Sequence, residues 1–407
     1  MLVRQFMARF MAPASQASPG QRAQAAAALA GALVRGELDP QEERDVQLVL
    51  TALLDDPSPL VRAALAKELS VAHNAPHHIV VALANDQAEV ARPILNRSPR
   101  LSDADLIDCA AMGDCACQIA IATRLRVSAA VAAAIAEVGA REAVIALVRN
   151  AGADTPDFSL NRIIDRFGQD GEAREALLAR GDLPVTFRAK LVDAAASALT
   201  SFVVSRDWLS AERAQRACRE AREKATILLV ADSAASIVGP AALVRHLREQ
   251  GQLTAGLVLR ALLSGNRSLL IAALAELSGI PANRVAAYVR EFNGAGFSAL
   301  FSRADLPDSL LPAFRAALDA QTELADDPDS LARLSRTMIE RVLTSCERAD
   351  DLTLAPVIAL LRRFDAEAAR DDAREGMDLL SRERTPPVER QKTFSVAAFR
   401  ARFAAAA

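Results

Sequence analysis

The chain has 407 residues, 51% of them hydrophobic, which excludes wholesale disorder and leaves ample sequence for a large buried core. Only 4% are aromatic and alternating apolar/polar runs are nearly absent, so the core must be built from Ala, Leu, Val and Ile and the chain reads as all-α. A net charge of −3 with a pI near 6.0 excludes a global attraction to nucleic acid or to an anionic membrane.

In chain order, Val3, Phe6, Met7 and Phe10 fall on one helical face, and Arg9 interrupts what would otherwise resemble a secretory core. The N-terminus therefore reads as a short amphipathic helix docked on its own protein. Residues 12 to 20, rich in Pro, Ser and Gly, read as a linker, and a lead-in helix is expected from Gln21 to Val34, stopped near Gly36. Residues 1–40 form this first section. Another helix is expected from Gln41 to Leu54. The stretch Leu53 to Ala66 then reads as a helix end, an Asp-Pro-Ser-Pro corner and a new helix start, with Asp56 or Ser58 as N-cap ahead of proline at the first helical position. Val61, Ala64, Leu65 and Leu69 share the face that this helix would bury. An acidic-proline corner followed by Val-Arg and an alanine-rich face is the pattern of HEAT-type helical repeats.

Two anchors recur from there. Val61, Val90 and Ile119 are spaced by 29 and 29. Arg97, Arg124, Asn150 and Arg180 close four apolar runs with steps of 27, 26 and 30. Leu101-Ser102, Val127-Ser128 and Leu183-Pro184 follow three of these, and Asp154-Thr155-Pro156 follows the fourth, each opening a new helix. A degenerate period of this size is one helical hairpin per repeat, and residues 41–195 are expected to stack such hairpins into a HEAT-like α-solenoid. Beyond about Ala195 the periodicity fades. Residues 196–322 read as a helical domain continuing the stack, with a long helix from Ser210 to Val230 and further helices opened by Pro240, Thr254 and Pro281. Phe292 to Phe297 reads as a turn, followed by a helix from Ser309 to Leu324. Residues 323–380 carry two long C-terminal helices, near Ser330–Glu347 and Leu354–Met377. Residues 381–407 read as a flexible tail with one short helix around Val396–Phe403.

The run from Leu53 through His77–Ala84 to Leu101–Leu106 resembles the bacterial family catalogued as domain of unknown function 2336. So does Gly251-Gln252-Leu253-Thr254 with the leucine-rich helix behind it. The resemblance spans about Leu50 to Ala320. It implies a soluble helical-repeat fold and, the family being uncharacterised, carries over no catalytic residue.

Chemistry-bearing candidates are few. Five cysteines, Cys109, Cys115, Cys117, Cys218 and Cys346, are odd in number and unevenly placed, which points to a reducing compartment and against a disulfide framework. Cys115 and Cys117 are two apart on a helix and point to different sides, so buried thiols are expected rather than a metal site. His73, His77 and His78 straddle Pro76, which argues against an i,i+4 ligand pair, and His77 should lie solvated in a first helical turn. There is no phosphate-cradling glycine loop and no nucleophile elbow, and acidic pairs such as Asp55-Asp56, Asp326-Asp327 and Asp350-Asp351 sit where carboxylates cap helices. No catalytic residue, cofactor or metal is expected.

The sharpest motif is Ala275–Val289, whose Ala, Gly279 and Val285 spacing fits a helix-turn-helix. Its second helix offers only Asn283, Arg284 and Arg290 to DNA, poor in the cations that phosphate binding needs. The expectation is thus a cytoplasmic, non-enzymatic scaffold or adaptor with a protein partner, without a transmembrane segment. Nucleic-acid binding through residues 275–289 is the alternative. Arg97, Arg124, Asn150 and Arg180 are expected to form a ladder along one edge, capping the last carbonyls of their helices or meeting acidic partner side chains.

Overall fold

A computed structural model describes residues 17–233, 239–323, 336–348 and 354–384. The expected N-terminal amphipathic helix, the expected tail helix at 396–403 and the acidic pairs at 326–327 and 350–351 lie outside the described residues. Among the described residues all regular elements are helical. The one β-type contact is an isolated parallel bridge in which Val127 N–H donates to the Gly152 carbonyl (3.1 Å) and Asp154 N–H to that of Val127 (2.9 Å).

The chain divides into two compact units, with the boundary between Arg222 and Glu223 inside a long helix. The first unit holds α1 (Pro19–Arg35), α2 (Pro40–Ala52), a 3-10 turn at Leu53–Asp55, α3 (Pro59–Leu69), α4 (His77–Ala84), α5 (Ala88–Arg97) and α6 (Asp103–Met112). It continues with α7 (Cys115–Ala122), α8 (Ala129–Val138), α9 (Arg141–Arg149), α10 (Asp157–Phe167), α11 (Gly171–Leu178), α12 (Val185–Ser205) and the start of α13 (Ala211–Ser233). The helix starts follow from cap chemistry. Ser102 and Ser128 accept backbone N–H bonds at the starts of α6 and α8, and Pro156 and Pro184 occupy the cap positions of α10 and α12. Helix α1 begins earlier than its composition suggests. Ser18 forms a capping box with Gln21 and Pro19 sits at the first helical position, so residues 19 and 20 are helix and not linker.

Helices pack with their next-but-one neighbours in two series. One runs α1, α3, α5, α7, α9, α11 and the other α6, α8, α10, α12, while consecutive helices touch within each hairpin. Wholly buried alanines (Ala26, Ala30, Ala66, Ala91 and Ala132) let the helices approach, and Val61, Leu65, Leu69, Ile79, Leu83, Ile94 and Ile135 fill the space between. Each such large side chain contributes roughly 1.5–3 kcal/mol on burial. The N-cap positions of α5, α7, α9 and α11 are Gln87, Asp114, Ala140 and Asp170, with the same 27, 26 and 30 steps as the second anchor. The first anchor slips. Val61 and Val90 are the third residues of α3 and α5, but the third residue of α7 is Cys117, buried where Ile119 is only half-buried, because the corner Gly113-Asp114 is tight.

The second unit, from Glu223, holds the rest of α13, then α14 (Gly239–Glu249), α15 (Ala255–Leu263), α16 (Arg267–Ser278), α17 (Ala282–Arg290) and α18 (Ala295–Arg303). After a 3-10 turn at Asp308–Leu310 come α19 (Leu311–Glu323), α20 (Arg336–Arg348) and α21 (Ala355–Arg384). Helix α16 is central, touching α14, α15, α17 and α18. Phe297, Phe301 and Phe314 are fully buried, the last two 5.1 Å apart edge-on. The expected turn at 292–297 ends at Gly294, and Ala295, Gly296 and Phe297 open α18. Gly296 is there because a Cβ would lie 2.8 Å from the Tyr288 ring, a close approach and not a turn. Helix α21 continues through Arg384, past the point where a tail was expected.

Candidate interaction surface

The residues that close the hairpins reach across to their neighbours. Arg124 donates from Nη1 to the Leu95 carbonyl (2.5 Å) and from Nη2 to that of Ser98 (2.8 Å), at the end of α5. Asn150 Nδ2 donates to the Ala122 (2.8 Å) and Arg124 (2.7 Å) carbonyls at the end of α7, and Arg180 Nη1 to Val148 (3.3 Å) in the last turn of α9. These side chains cap the carbonyls of the preceding hairpin, not of their own helices, and so join one hairpin to the next. Arg97 does not share the pattern. It is exposed, and Arg100 makes the backward reach at that rung, donating to the Ala75 carbonyl (3.1 Å). The neighbouring Asn96 instead bonds Ala120 and Thr123 of α7 (3.0 Å each). The second series has a rung that the spacing did not expose: Arg166 caps α8 through the Ala136 (2.7 Å) and Gly139 (2.9 Å) carbonyls.

A second set of contacts staples the corners. Arg22 on α1 grips both oxygens of Asp56 (2.8 and 2.9 Å), Arg62 on α3 those of Asp86 (2.5 and 3.1 Å), and Arg141 on α9 those of Asp170 (2.9 and 3.1 Å). Each carboxylate also accepts a backbone N–H at the start of the next helix in the series, from Ser58, Gln87 and Ala173 respectively. At the α2–α3 corner this bond falls to Asp56, and the Ser58 side chain makes no cap bond. Gln118 replaces the pair at α7, giving its amide N–H to the Ala110 carbonyl and accepting Ala140 N–H (2.8 Å).

The guanidinium of Arg22 holds Asp56 below the ordinary carboxylate range, and Arg141 does the same for Asp170. At Asp86 burial pushes upward, and Arg62 with the Gln87 N–H more than offsets it. Because these folded values lie below the unfolded ones, the staples contribute fully above about pH 4–5 and are lost as pH falls through the depressed values. Melting temperature should therefore fall steeply on acidification below about pH 4, and the slope should flatten in an Asp56→Asn, Asp86→Asn, Asp170→Asn variant.

Along the first series, an open groove of about 600 Å³ is lined by Thr123, Arg141, Glu142, Ile145, Arg149 and Glu172. Arg149 reaches Glu172 at 3.1 Å and both are well exposed, so the groove offers charge of both signs to a partner.

Among the described residues no group of three or more His, Cys, Asp or Glu gathers as a metal site would need. Cys109 and Cys117 are buried and Cys115 half-buried, giving its S–H to Glu142 (3.7 Å). Burial raises the Cys117 thiol to about 11 and pushes Cys109 up as well, which leaves neither poised as a thiolate. His77 opens α4, exposed, with Nδ1 3.1 Å from the Arg100 carbonyl, while His78 meets the Thr51 hydroxyl at 3.0 Å.

In the second unit, α16 ends on Gly279 in the left-handed region (φ 70°), and the chain turns by 119° into α17. Val285 and Val289 are buried, while Asn283, Arg284 and Arg290 are exposed. Arg290 Nε bonds the Ala286 carbonyl of its own helix (3.3 Å). Among the described residues no single helix is long and apolar enough to cross a membrane.

A family model described as an uncharacterised protein conserved in bacteria (DUF2336) matches residues 90–350. No curated protein and no solved structure matches the chain.

Proposed function

The chain belongs to the DUF2336 family, and we propose that it works as a cytoplasmic, non-enzymatic HEAT-like solenoid, a scaffold or adaptor that presents stacked hairpins to a protein partner. The observation that carries this reading is the next-but-one packing of two helix series, joined hairpin to hairpin by side chains at matching positions. Stacking of that kind yields a continuous edge instead of a closed cavity, and such edges serve recognition. Arg124, Asn150 and Arg180 are engaged with backbone carbonyls, Asn150 at the wall of the groove, so the side chains offered to the partner are the exposed Arg149 and Glu172 within it. An exposed pair of this sort contributes at most about 1 kcal/mol to folding. Arg149→Glu should therefore leave the melting temperature unchanged while a partner that co-purifies with the native chain from its own cell is lost. Recovery of that partner undiminished with both Arg149→Glu and Glu172→Arg would overturn the assignment of the groove, and a chain that recruits nothing above a mock purification would overturn the scaffold.

A second reading, as a DNA-binding regulator, is favoured by the 119° turn between α16 and α17, within the range of helix-turn-helix pairs. Its second helix is short of cations for phosphate contacts, which leaves it behind the scaffold. Gel-shift titrations across a salt series decide between them: retardation at physiological salt that Arg284→Ala abolishes would put the DNA reading first.

A further inference from the structure

The turn between α12 and α13 carries a surface that the scaffold reading does not use. From residue 197 to residue 213 no position is buried. Within that stretch Leu199 (52% exposed), Phe202 (46%), Trp208 (66%) and Leu209 (38%) present large apolar side chains to solvent. Trp208 is the chain's single tryptophan. Their packing on one another still leaves much of their apolar area in water, and clustered exposure of this kind marks a contact surface.

The tip is held in shape. Asp207 adopts the left-handed region (φ 55°), which is uncommon for a residue with a Cβ. Its N–H donates to the Val204 carbonyl (3.0 Å) and that of Trp208 to Val203 (3.1 Å), the double bond pattern of a left-handed helix stop. This stop turns Trp208 back against Phe202, edge-on, with ring centroids 5.5 Å apart. The Arg206 guanidinium lies over the Phe202 ring at 5.5 Å. Below the tip, Arg222 on α13 pairs with Asp193 on α12 (3.1 Å), a bond that ties the two helices across the turn.

Residue chemistry points to the occupant. Between residues 199 and 220 the chain carries Arg206, Arg213, Arg216 and Arg219 against Asp207, Glu212 and Glu220, a local balance of +1 in a chain of net −3. We propose that this tip docks into the interfacial layer of an anionic lipid surface, with Trp208, Phe202, Leu199 and Leu209 entering the headgroup–acyl boundary and the arginines meeting lipid phosphates. Tryptophan belongs at such boundaries because its ring is apolar and its N–H polar, and arginine can bury its stem while its head stays wet. A projecting tip, rather than a groove, suits insertion into a fluid surface, and basic flanks add attraction to acidic headgroups. Docking of this kind would hold the proposed scaffold at a membrane without a spanning helix.

The single tryptophan makes the test direct. The full chain is mixed with vesicles of phosphatidylcholine alone, or with phosphatidylglycerol as a minority component, and Trp208 emission is followed together with quenching by brominated acyl chains. The expected result is a blue shift and quenching with the anionic vesicles only, weakening as salt is raised. A Phe202→Asp, Leu209→Asp variant keeps the reporter and should lose vesicle co-sedimentation by about tenfold or more at an unchanged circular dichroism melt. The proposal is overturned if Trp208 emission ignores every vesicle, if neutral vesicles act equally well, or if the double variant still sediments. A blue shift that grows with protein concentration in the absence of lipid would also overturn it, by making a second copy of the chain the occupant.

Discussion

Changing Glu367 to alanine is expected to destabilise the second unit by about 3–5 kcal/mol, the cost of leaving a buried charge without its partner. Arg260 on α15 is wholly inaccessible, and its Nη1 and Nη2 grip the two oxygens of Glu367 on α21 at 2.7 and 2.8 Å. The Phe364 ring packs on the guanidinium at 4.6 Å, Glu223 lies 3.1 Å from its Nε, and Lys224 reaches Glu367 (2.8 Å) and Asp371 (2.7 Å). Removing Glu367 takes the bidentate carboxylate from a guanidinium in a space too dry to solvate it, although Glu223 still lies beside its Nε. Replacing both partners, Arg260→Met with Glu367→Leu, should recover most of the loss, because neither member of the dry pair then remains to be desolvated, while Glu223 and Lys224 keep some access to water. Urea titration of the full chain checks both. A cost below about 1 kcal/mol for Glu367→Ala would mean that the pair is no clasp for α21.

Arg124→Gln is expected to cost about 1–3 kcal/mol, since it removes charged donors from two carbonyls that end α5 and leaves at most one amide in their place. Arg97→Gln, at an exposed position of the same nominal repeat site, should fall within about 0.5 kcal/mol of the parent. The comparison separates joining hairpins from binding a partner. A lowered melting temperature with any co-purified partner retained places Arg124 in the stack, and an unchanged melt with the partner lost places it in recognition.

Helix starts were readable because caps act locally: Ser102, Ser128, Pro156 and Pro184 each declare themselves within four residues. The spacing of Arg97, Arg124, Asn150 and Arg180 kept step with the caps, yet spacing could not say which carbonyls these side chains reach, nor that Arg97 turns to solvent. The anchor at Ile119 slipped by two because corner lengths vary while the apolar alphabet is nearly all Ala, Val and Ile, so neighbouring registers look alike. Gly294-Ala295-Gly296 read as a turn because glycine spacing carries no sign of the Tyr288 ring that Gly296 accommodates. The Arg260–Glu367 pair joins positions 107 apart, beyond any local pattern. One signal was present all the same: an arginine inside Leu257-Val258-Leu259-Arg260-Ala261-Leu262-Leu263 is a charge amid a buried run and demands a counter-ion.

In the first unit, the side chains that cap carbonyls of another hairpin mostly share a direction. Asn74, Arg124, Asn150, Arg166 and Arg180 all donate to carbonyls that precede them in the chain, at Leu33, Leu95, Ala122, Ala136 and Val148, and Asn96 is the counter-example. During synthesis, then, a hairpin leaving the ribosome carries uncapped carbonyls until the following one emerges. Each newly made segment supplies caps to its predecessor, an arrangement suited to folding from the N-terminus during synthesis. The same polarity makes truncation asymmetric. A cut from the C-terminal side strips caps from the hairpin left behind, whereas a cut from the N-terminal side removes a helix and leaves its former capping residue free to bind water.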